Sequence, residues 1–209
     1  MVLVTSYAPA QTSVGVALTY NLPQGDFGDF ARPAIGYELG GRRHLNRIFV
    51  DAALFCLNFP LRKTAFEYLN APVGPADFTE VTLNKDWDFY GLTVGGGYYV
   101  FQKRKWAVYG GVGICYLYGF REVPEKTSFG NYTGTSSSVG GSGKLGLVPR
   151  LGATIPCGRL LILPEIRGNF NFSKGISAYN SFSDYDLGAR DPFLQLALGI
   201  HYVLSTPVP

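Results

Sequence analysis

The sequence predicts an all-β protein, an eight-stranded antiparallel up-and-down transmembrane β-barrel. Eight segments alternate between large apolar residues and small or polar ones with a period of two, as strands with two unlike faces do. Charged residues are 16% of the chain and glycine contributes 27 of its 209 residues, which is unusual for a water-soluble domain. The connections alternate strictly between long polar segments and short turns. An even number of strands then brings both chain ends to the rim that carries the short turns.

Composition argues against several other classes of protein. No stretch of about 18 uninterrupted apolar residues occurs, so the sequence predicts no membrane-spanning helix. The formal net charge is +3 and no basic stripe is interleaved with aromatic residues, so we expect no nucleic-acid partner. The cysteines Cys56, Cys115 and Cys157 match no zinc or redox spacing and cannot all pair within one chain. We therefore expect no metal and no cofactor, and interpret the cysteines as small packing residues.

The first ten residues differ from the rest of the chain. They are apolar and end in Ala8-Pro9-Ala10 before Gln11, a small-residue pattern that resembles the end of a secretory signal peptide. We interpret residues 1–10 as the remnant of such a signal and residues 11–209 as the barrel domain. An ordinary first strand segment is the alternative for residues 1–10.

The first three predicted strands are residues 13–22, 34–41 and 47–61. In the first two, the large outward side chains are Val14, Val16, Leu18, Tyr20, Leu22, Ile35, Tyr37 and Leu39. The third is apolar on both faces, so its periodicity does not fix which face is which. We assign its odd positions to lipid, namely Phe49, Phe55, Leu57 and Phe59. Asp51 then fits only at the membrane boundary or beside a bulge that shifts the phase.

Residues 87–121 predict the clearest pair of strands, a hairpin that turns at residues 102–104. Its outward face carries Tyr90, Leu92, Val94, Tyr98, Val100, Trp106, Val112, Ile114, Tyr116, Tyr118 and Phe120. The opposite face is mostly glycine and other small residues. A soluble sheet fills its core face with bulk and places charge on the other face. Here the bulky face looks outward, and lipid is the solvent that accepts it.

The last three predicted strands are residues 144–156, 160–173 and 192–204. Their outward sets include Leu145, Leu147, Leu151, Ile155, Leu160, Ile166, Phe170, Leu194, Leu196, Leu198, Ile200 and Tyr202. The long connections fall at residues 23–33, 62–80, 122–143 and 174–190, and the short turns at 42–46, 102–104 and 157–159. Because residues 122–143 are rich in glycine and serine, we predict a mobile polar loop there.

This pattern of faces and connections, which covers residues 11–204, resembles the OmpA/OmpX-like eight-stranded outer-membrane β-barrel superfamily. It is similar in particular to the outer membrane protein β-barrel domain proteins that are common in Bacteroidota. The resemblance implies insertion in the bacterial outer membrane with both termini periplasmic. It also implies contact with outer-membrane lipids, an extracellular or envelope protein partner, and roles in adhesion or envelope integrity rather than catalysis.

Four charged residues fall on the inward face of the predicted barrel: Glu38, Arg150, Glu165 and Arg167. Buried charges must pair, so we predict that these four form an ion network that fills a lumen too narrow to conduct. A narrow porin-like channel is the alternative. A second alternative is a lipid-modifying enzyme, for which His44, His201 and several serines are present without a motif.

The ends of the predicted strands supply candidates for lipid and partner contacts. Outward aromatic residues predict girdles at the membrane interfaces, namely Tyr20, Tyr98, Trp106, Tyr118, Phe172 and Tyr202. Residues 87 and 121 lie about fifteen residues above the turn at 102–104, more than a strand needs to cross a bilayer. We therefore expect this hairpin to protrude and to carry the surface-binding candidates Trp87, Phe89, Tyr116 and Tyr118. The sequence thus predicts a small monomeric barrel with a structural or adhesion-like role.

Overall fold

The computed structural model describes residues 11–60, 78–81, 87–103, 105–129, 132–171 and 192–204. For residues 26, 29, 30, 78–81, 87, 120–129 and 132–142, it describes the backbone alone. Within these ranges lie nine strands and one short helix. In chain order they are β1 (Gln11–Pro23), α1 (Gly25–Phe30), β2 (Ala34–Leu45), β3 (Ile48–Phe59), β4 (Phe78–Val81), β5 (Trp87–Lys103), β6 (Trp106–Phe129), β7 (Tyr132–Cys157), β8 (Leu160–Asn171) and β9 (Phe193–Val203).

Eight of the nine strands form a closed antiparallel barrel. Successive strands pair as neighbours, and the pairing of β9 with β1 completes the ring. The remaining strand, β4, pairs with the upper part of β6 from Phe78–Ser128 to Val81–Glu125. The structure therefore confirms the predicted eight-stranded up-and-down barrel. Closure matters physically because it leaves the barrel wall without an unpaired edge.

The outer and inner faces of the wall differ as predicted. Large apolar side chains are exposed on every barrel strand, and Leu39, Ile114 and Leu151 are 61%, 61% and 58% accessible. The alternate positions are small or point into the lumen, where Thr19 is 1% accessible. A belt of exposed leucine, valine and isoleucine requires an apolar solvent, so these strands cross the membrane. Among the described residues, no helix is long and apolar enough to do so.

The faces of β3 are reversed relative to our prediction. Phe49, Phe55, Leu57 and Phe59 do not face lipid: they are buried in the lumen at 1%, 8%, 3% and 0% accessibility. The exposed outward positions are instead the even-numbered residues Ile48, Val50, Ala52 and Leu54. Asp51 consequently points inward, opposite Arg42 of β2, and no bulge is needed to explain it. The prediction was wrong because the lumen of this barrel is filled with aromatic bulk, so hydrophobicity alone did not distinguish the two faces.

Strand β2 runs further than the sequence indicated. Arg42 and His44, which we placed in a turn, are paired with β3 and buried at 3% accessibility. The turn itself is short and contains Asn46, whose φ of 58° lies in the left-handed region that asparagine tolerates. The extra strand length therefore moves one arginine from the membrane surface into the barrel interior.

In the polar segment 122–143, where we predicted a loop, the described residues form paired strands. Strands β6 and β7 remain paired from Arg121–Gly140 to Phe129–Tyr132. At about 3.4 Å per residue, these nine pairs extend the hairpin about 30 Å beyond the end of β5. Backbone hydrogen bonds form this ladder, and they do not require the apolar alternation by which we recognised the other strands. We call this part, residues 121–140, the projecting hairpin.

Glycines on the inner wall make room for the large side chains of the lumen. A Cβ atom added at Gly95 would lie 2.6 Å from Arg150 Nη2, and one added at Gly97 would lie 2.5 Å from Cζ of Phe49. Both distances are below any ordinary contact. The glycine-rich inward face of β5 is therefore the counterpart of the bulky groups that reach it from β3 and β7.

Candidate functional site

The centre of the lumen contains a network of three arginines and three carboxylates. At one side Asp51 accepts two hydrogen bonds from Arg150, at 2.8 and 2.7 Å. The same carboxylate lies 3.0 Å from Nη2 of Arg42. Arg150 and Asp51 form a bidentate pair, the arrangement in which a guanidinium and a carboxylate bind most strongly. Strands β2, β3 and β7 are thus joined across the lumen.

At the other side of the network, Glu165 is the shared acceptor. Arg42 lies 2.5 Å from Oε1 of Glu165 and Arg167 lies 2.5 Å from Oε2. The hydroxyl of Tyr109 donates a further hydrogen bond to Oε1. Arg167 also donates to both oxygens of Glu38, at 2.8 and 2.7 Å. We call Glu38, Arg42, Asp51, Arg150, Glu165 and Arg167 the lumen ion network. Its charges balance, three positive against three negative.

Aromatic rings enclose the network on the side of the short turns. The guanidinium carbon of Arg42 lies 4.2 Å from the ring centroid of Phe49 and 4.8 Å from that of Tyr109. Phe49 and Tyr109 contact each other edge to face with centroids 4.9 Å apart. Such rings favour a cation over their faces and exclude water at the same time. The network therefore lies in a region of low polarity, where each charge depends on its partners.

The structure places all four of the predicted lumen charges inside the barrel. Arg167 bridges Glu38 and Glu165, whereas Arg150 contacts Asp51 and lies directly opposite Arg167 in the β7–β8 pairing. Sequence reasoning missed two members, Arg42 and Asp51. The signal for Asp51 was available, since a carboxylate that seems misplaced on a lipid face fits the lumen if the phase is reversed.

A second cluster of aromatic residues fills the lumen on the side of the long connections. Phe27 of α1 contacts Phe59 at a centroid distance of 5.0 Å, and Phe59 contacts Phe89 at 5.7 Å and Phe193 at 5.6 Å. These four side chains are 0–3% accessible. We call them the aromatic plug. The short helix α1 falls in a predicted loop, and its Phe27 side chain packs into the lumen against Phe59.

Between the strands near the lumen ion network, a small cavity remains. Its volume is about 30 Å³, and it is lined by small residues such as Gly40 and Ala53 together with the charged groups. A water molecule needs at least about 10–15 Å³ of such space, so the cavity has room for about two or three waters. In the part of the chain that the structure describes, side chains rather than a water column fill the lumen.

Five of the six predicted girdle residues lie on the outer face: four are near strand ends, and Tyr118 is in the middle of β6, opposite Tyr90 near the start of β5. Tyr20, Tyr98, Trp106, Tyr118 and Tyr202 are 40–46% accessible. Phe172 lies outside the described residues. At the rim of the short turns, Arg47 donates to the hydroxyl of Tyr98 at 3.2 Å and Arg159 to that of Tyr202 at 3.1 Å. These hydrogen bonds raise the pKa of both exposed arginines.

The β5–β6 turn at the same rim carries a third contact between a cation and aromatic rings. A bulge between Tyr99 and Phe101 shifts the alternation of β5. Phe101 would otherwise point inward, but it is 41% accessible and packs against Trp106 with centroids 4.9 Å apart. The ammonium of Lys103 lies 5.2 and 5.9 Å from the two ring centroids. Bulges at the rims of barrels commonly change the direction of a side chain in this way.

The projecting hairpin has two unequal edges. On the β6 side, β4 covers residues Glu125–Ser128. On the β7 side, the described pairing with β8 ends at Gly146–Asn171, and among the described strands only β6 pairs with residues 132–143. Within the part of the chain that the structure describes, this edge of the hairpin has no second neighbouring strand above the barrel.

Comparisons with known proteins agree with the architecture. No family model and no curated protein sequence matches the chain. Among solved structures, a major outer membrane protein from Thermus thermophilus is similar with a TM-score of 0.59 at 13% identity, over 93% of this chain and 99% of that one. The chain has the eight-stranded outer-membrane β-barrel fold. Two further structures match with lower TM-scores: Neisserial surface protein A (0.48, 11% identity, 91% of this chain and 96% of that chain) and the attachment invasion locus protein Ail of Yersinia pestis (0.43, 15% identity, 94% and 99%).

The predicted surface-binding residues separate into three groups on this barrel. Tyr116 and Tyr118 are exposed on the outer wall, at 48% and 45%. Phe89 does not lie on the surface: it is 2% accessible, because the alternation that places Tyr90 outward turns its neighbour into the aromatic plug. For Trp87 the backbone is described, and it pairs with Phe59 of β3. Strand β3 pairs with the other edge of β5 as far as Trp87, so the β5–β6 pair does not extend beyond the barrel wall. The pair of strands that extends beyond it is β6–β7.

The two histidines lie on the inner face near the short turns, where His44 is buried and His201 is half-buried. His201 Nδ1 is 3.3 Å from the hydroxyl of Ser13, and His44 Nδ1 is 2.6 Å from that of Tyr99. Ser13 is 0% accessible, so its hydroxyl cannot meet a lipid. Within the described residues, no three His, Cys, Asp or Glu side chains form a group that could hold a metal ion.

Proposed function

We propose that this chain is an outer-membrane protein in which a filled barrel anchors a binding hairpin at the cell surface. The observation that carries this proposal is the projecting hairpin, which continues for nine residue pairs beyond Phe120. A barrel needs strands of only about 9–11 residues to cross the bilayer, whereas β6 and β7 have 24 and 26 residues. Such additional length has no role in crossing the membrane and is available to a partner.

The two edges of the projecting hairpin indicate how a partner binds. The β6 segment contains Pro124 and the charged residues Glu122, Glu125 and Lys126, which are features that protect a sheet edge from pairing. Residues 132–143 of β7 contain neither charge nor proline. A strand edge of this kind accepts an extended segment of another protein through backbone hydrogen bonds. The partner in this proposal is therefore an extended polypeptide that adds to β7.

The orientation follows from the lengths of the connections. Outer-membrane barrels have short turns on the periplasmic side and long loops outside. In this proposal, both termini and the turns at Asn46, Lys103 and Gly158 face the periplasm, and the projecting hairpin faces the exterior. The segment 1–10 lies outside the described residues, and its assignment as a signal remnant stays a prediction.

The filled lumen supports an anchoring role over the narrow channel that the sequence left open. The lumen ion network and the aromatic plug occupy successive levels of an eight-stranded barrel, which is just wide enough for side chains. In planar bilayers we expect little or no steady conductance. Stable ion-selective channels that disappear in Arg150→Ala would favour transport. The buried position of Ser13 likewise gives no support to a lipid-modifying enzyme.

A truncation that preserves the register tests the binding role. Because Arg121 pairs with Gly140, residues 122–139 can be replaced by Asn-Gly, the favoured two-residue hairpin turn. Cells that display the full chain should bind to at least one of a panel of immobilised extracellular-matrix and serum proteins, and the truncated chain should not. Heat-modifiable gel mobility measures folding and should be unchanged.

A point variant tests the edge itself. Ser137→Lys introduces the kind of charge that guards natural edge strands, and Ser137→Asn is the uncharged control. We expect the lysine variant to lose binding and the asparagine variant to retain it. Binding that survives the truncation, but is lost when the short turns are altered, would instead indicate a periplasmic partner.

A further inference from the structure

We propose that the rim of short turns binds the phosphate of anionic glycerophospholipids, with its principal site at Lys103, Phe101 and Trp106. This inference is independent of the projecting hairpin, which lies at the opposite end of the barrel. It requires only that the barrel spans a membrane.

The first argument is the state of the positive charges. Every arginine of the lumen ion network lies within 3.0 Å of a carboxylate oxygen. The rim cations differ: Arg47 and Arg159 contact only tyrosine hydroxyls, and Lys103 only ring faces. Among the described residues, no carboxylate forms an ion pair with any of these three. No carboxylate of the described residues therefore compensates their charge, and an anion from outside can supply the counter-charge.

The second argument is depth. Each rim cation is held against an aromatic residue of the outer face, and rings with one polar end prefer the membrane interface. Backbone hydrogen bonds also fix the two arginine turns, since Tyr99 N–H donates to the carbonyl of Arg47 at 2.8 Å and Val203 N–H to that of Arg159 at 2.9 Å. The cations thus lie at the level of lipid head groups, where a phosphate is the available anion.

The third argument is the β5–β6 bulge, which builds a site with both a polar and an apolar part. It turns Phe101 outward to form a ring pair with Trp106, and leaves Val100 72% accessible beside them. The ammonium of Lys103 stands over the rings. The phosphate of a glycerophospholipid can bind the ammonium while the first part of that lipid's acyl chain lies along Val100 and Phe101. Without the bulge, Phe101 would enter the lumen and the ring pair would not form.

The test measures lipid selectivity of the folded full-length chain. The chain is reconstituted in nanodiscs made from equimolar phosphatidylglycerol and phosphatidylcholine, and the lipids retained after detergent extraction are quantified. We expect phosphatidylglycerol to be enriched. Lys103→Gln should lower the enrichment about fivefold, which corresponds to about 1 kcal/mol for one cation near a membrane surface. Lys103→Arg should retain it.

Two matched controls distinguish a site from general electrostatics. Lys105→Gln removes the same charge from the same turn, but Lys105 is exposed, and among the described residues the ring contacts of this turn belong to Lys103. Arg32→Gln removes an exposed charge at the other end of the barrel. Both should change the enrichment less than twofold. Equal losses in Lys103→Gln and Lys105→Gln would overturn the proposed site.

Two further measurements guard against a misfolded variant and distinguish a lipid phosphate from free inorganic phosphate. Arg159→Gln should lower the enrichment in the same way, so the proposal stays testable if Lys103→Gln fails to show heat-modifiable mobility. Inorganic phosphate added at constant ionic strength should leave the enrichment unchanged, because the acyl chain contributes to binding. Displacement by inorganic phosphate, or no enrichment in the unaltered chain, would contradict a lipid site.

Discussion

Strand β7 passes through two environments within its 26 residues. From Leu145 to Ile155 its outward leucines are exposed to the membrane, while Val148 and Arg150 are buried in the lumen at 2% and 8% accessibility. From residue 132 to 143 its sequence is threonine, serine and glycine with one valine and one tyrosine. The pairing with β6 nevertheless continues without a break through both halves.

The two parts of β7 show that backbone hydrogen bonds form the strand, whereas the side-chain pattern determines whether it lies in the membrane. Backbone hydrogen bonds to β6 are common to both halves, so they account for the continuous hairpin. The alternation of large and small residues occurs only where the two faces meet different solvents, lipid outside and a packed lumen inside. The position of the lower half of β7, residues 145–155, is therefore determined by its side chains. The upper half, residues 132–143, is held by its backbone hydrogen bonds to β6. Substitutions should change the stability of the barrel strongly in the lower half and only slightly in the upper half.

The largest expected effect lies in the lower half, at the lumen ion network. Arg150→Met removes both hydrogen bonds to Asp51 and leaves that carboxylate with Arg42 alone. Breaking a buried ion pair costs about 3–5 kcal/mol, so the urea midpoint of unfolding from lipid vesicles should fall strongly. Arg150→Met combined with Asp51→Leu should recover part of the loss. If the single variant loses less than about 1 kcal/mol, the network does not stabilise the barrel.

An arginine introduced on the lipid face should have the next largest effect. Leu151→Arg places a charge on the exposed face of β7, where the cost near the bilayer midplane is about 2–4 kcal/mol. Ser137→Arg is the matched change in the projecting hairpin and should cost almost nothing. Both values come from unfolding titrations in vesicles. Equal tolerance of the two substitutions would refute the membrane assignment of the lower half.

The smallest effect on stability should come from removing the upper half altogether. Replacement of residues 122–139 by Asn-Gly keeps the pair Arg121–Gly140 and all the barrel contacts below it. We expect the free energy of unfolding to change by less than about 1 kcal/mol, because surface segments away from the core contribute little. A large loss of stability would mean that the projecting hairpin is part of the folding core, and the two halves would not be independent.

The sequence predicted the barrel, its strand number and most of its faces, because the lipid face supplies a strong period-two signal. It failed where that signal is weak or absent. On β3, Phe49 and Phe55 fill the lumen and resemble lipid-facing residues, so the two faces could not be distinguished by hydrophobicity. In residues 122–143 both faces lack bulk, and the composition therefore resembled a loop.

The lumen ion network could be predicted only in part for a related reason. Alternation placed Glu38, Glu165 and Arg167 inward, but the pairing of strands across the lumen depends on the length of each turn. The turn between β2 and β3 is shorter than it appeared, which brings Arg42 inside. The β7–β8 turn pairs Cys157 with Leu160, and this register decides which carboxylate Arg150 contacts.

The division of β7 can be measured directly with spin labels placed one at a time along residues 133–155 of a chain in which the three native cysteines are replaced. Oxygen accessibility reports lipid, and a water-soluble nickel complex reports water. Our account predicts a period-two pattern from residue 145 to 155, with oxygen maxima at the outward positions. From residue 133 to 142 it predicts high nickel accessibility at successive positions with no oxygen maxima. An oxygen period that continues to residue 133, or that is absent between 145 and 155, would contradict it.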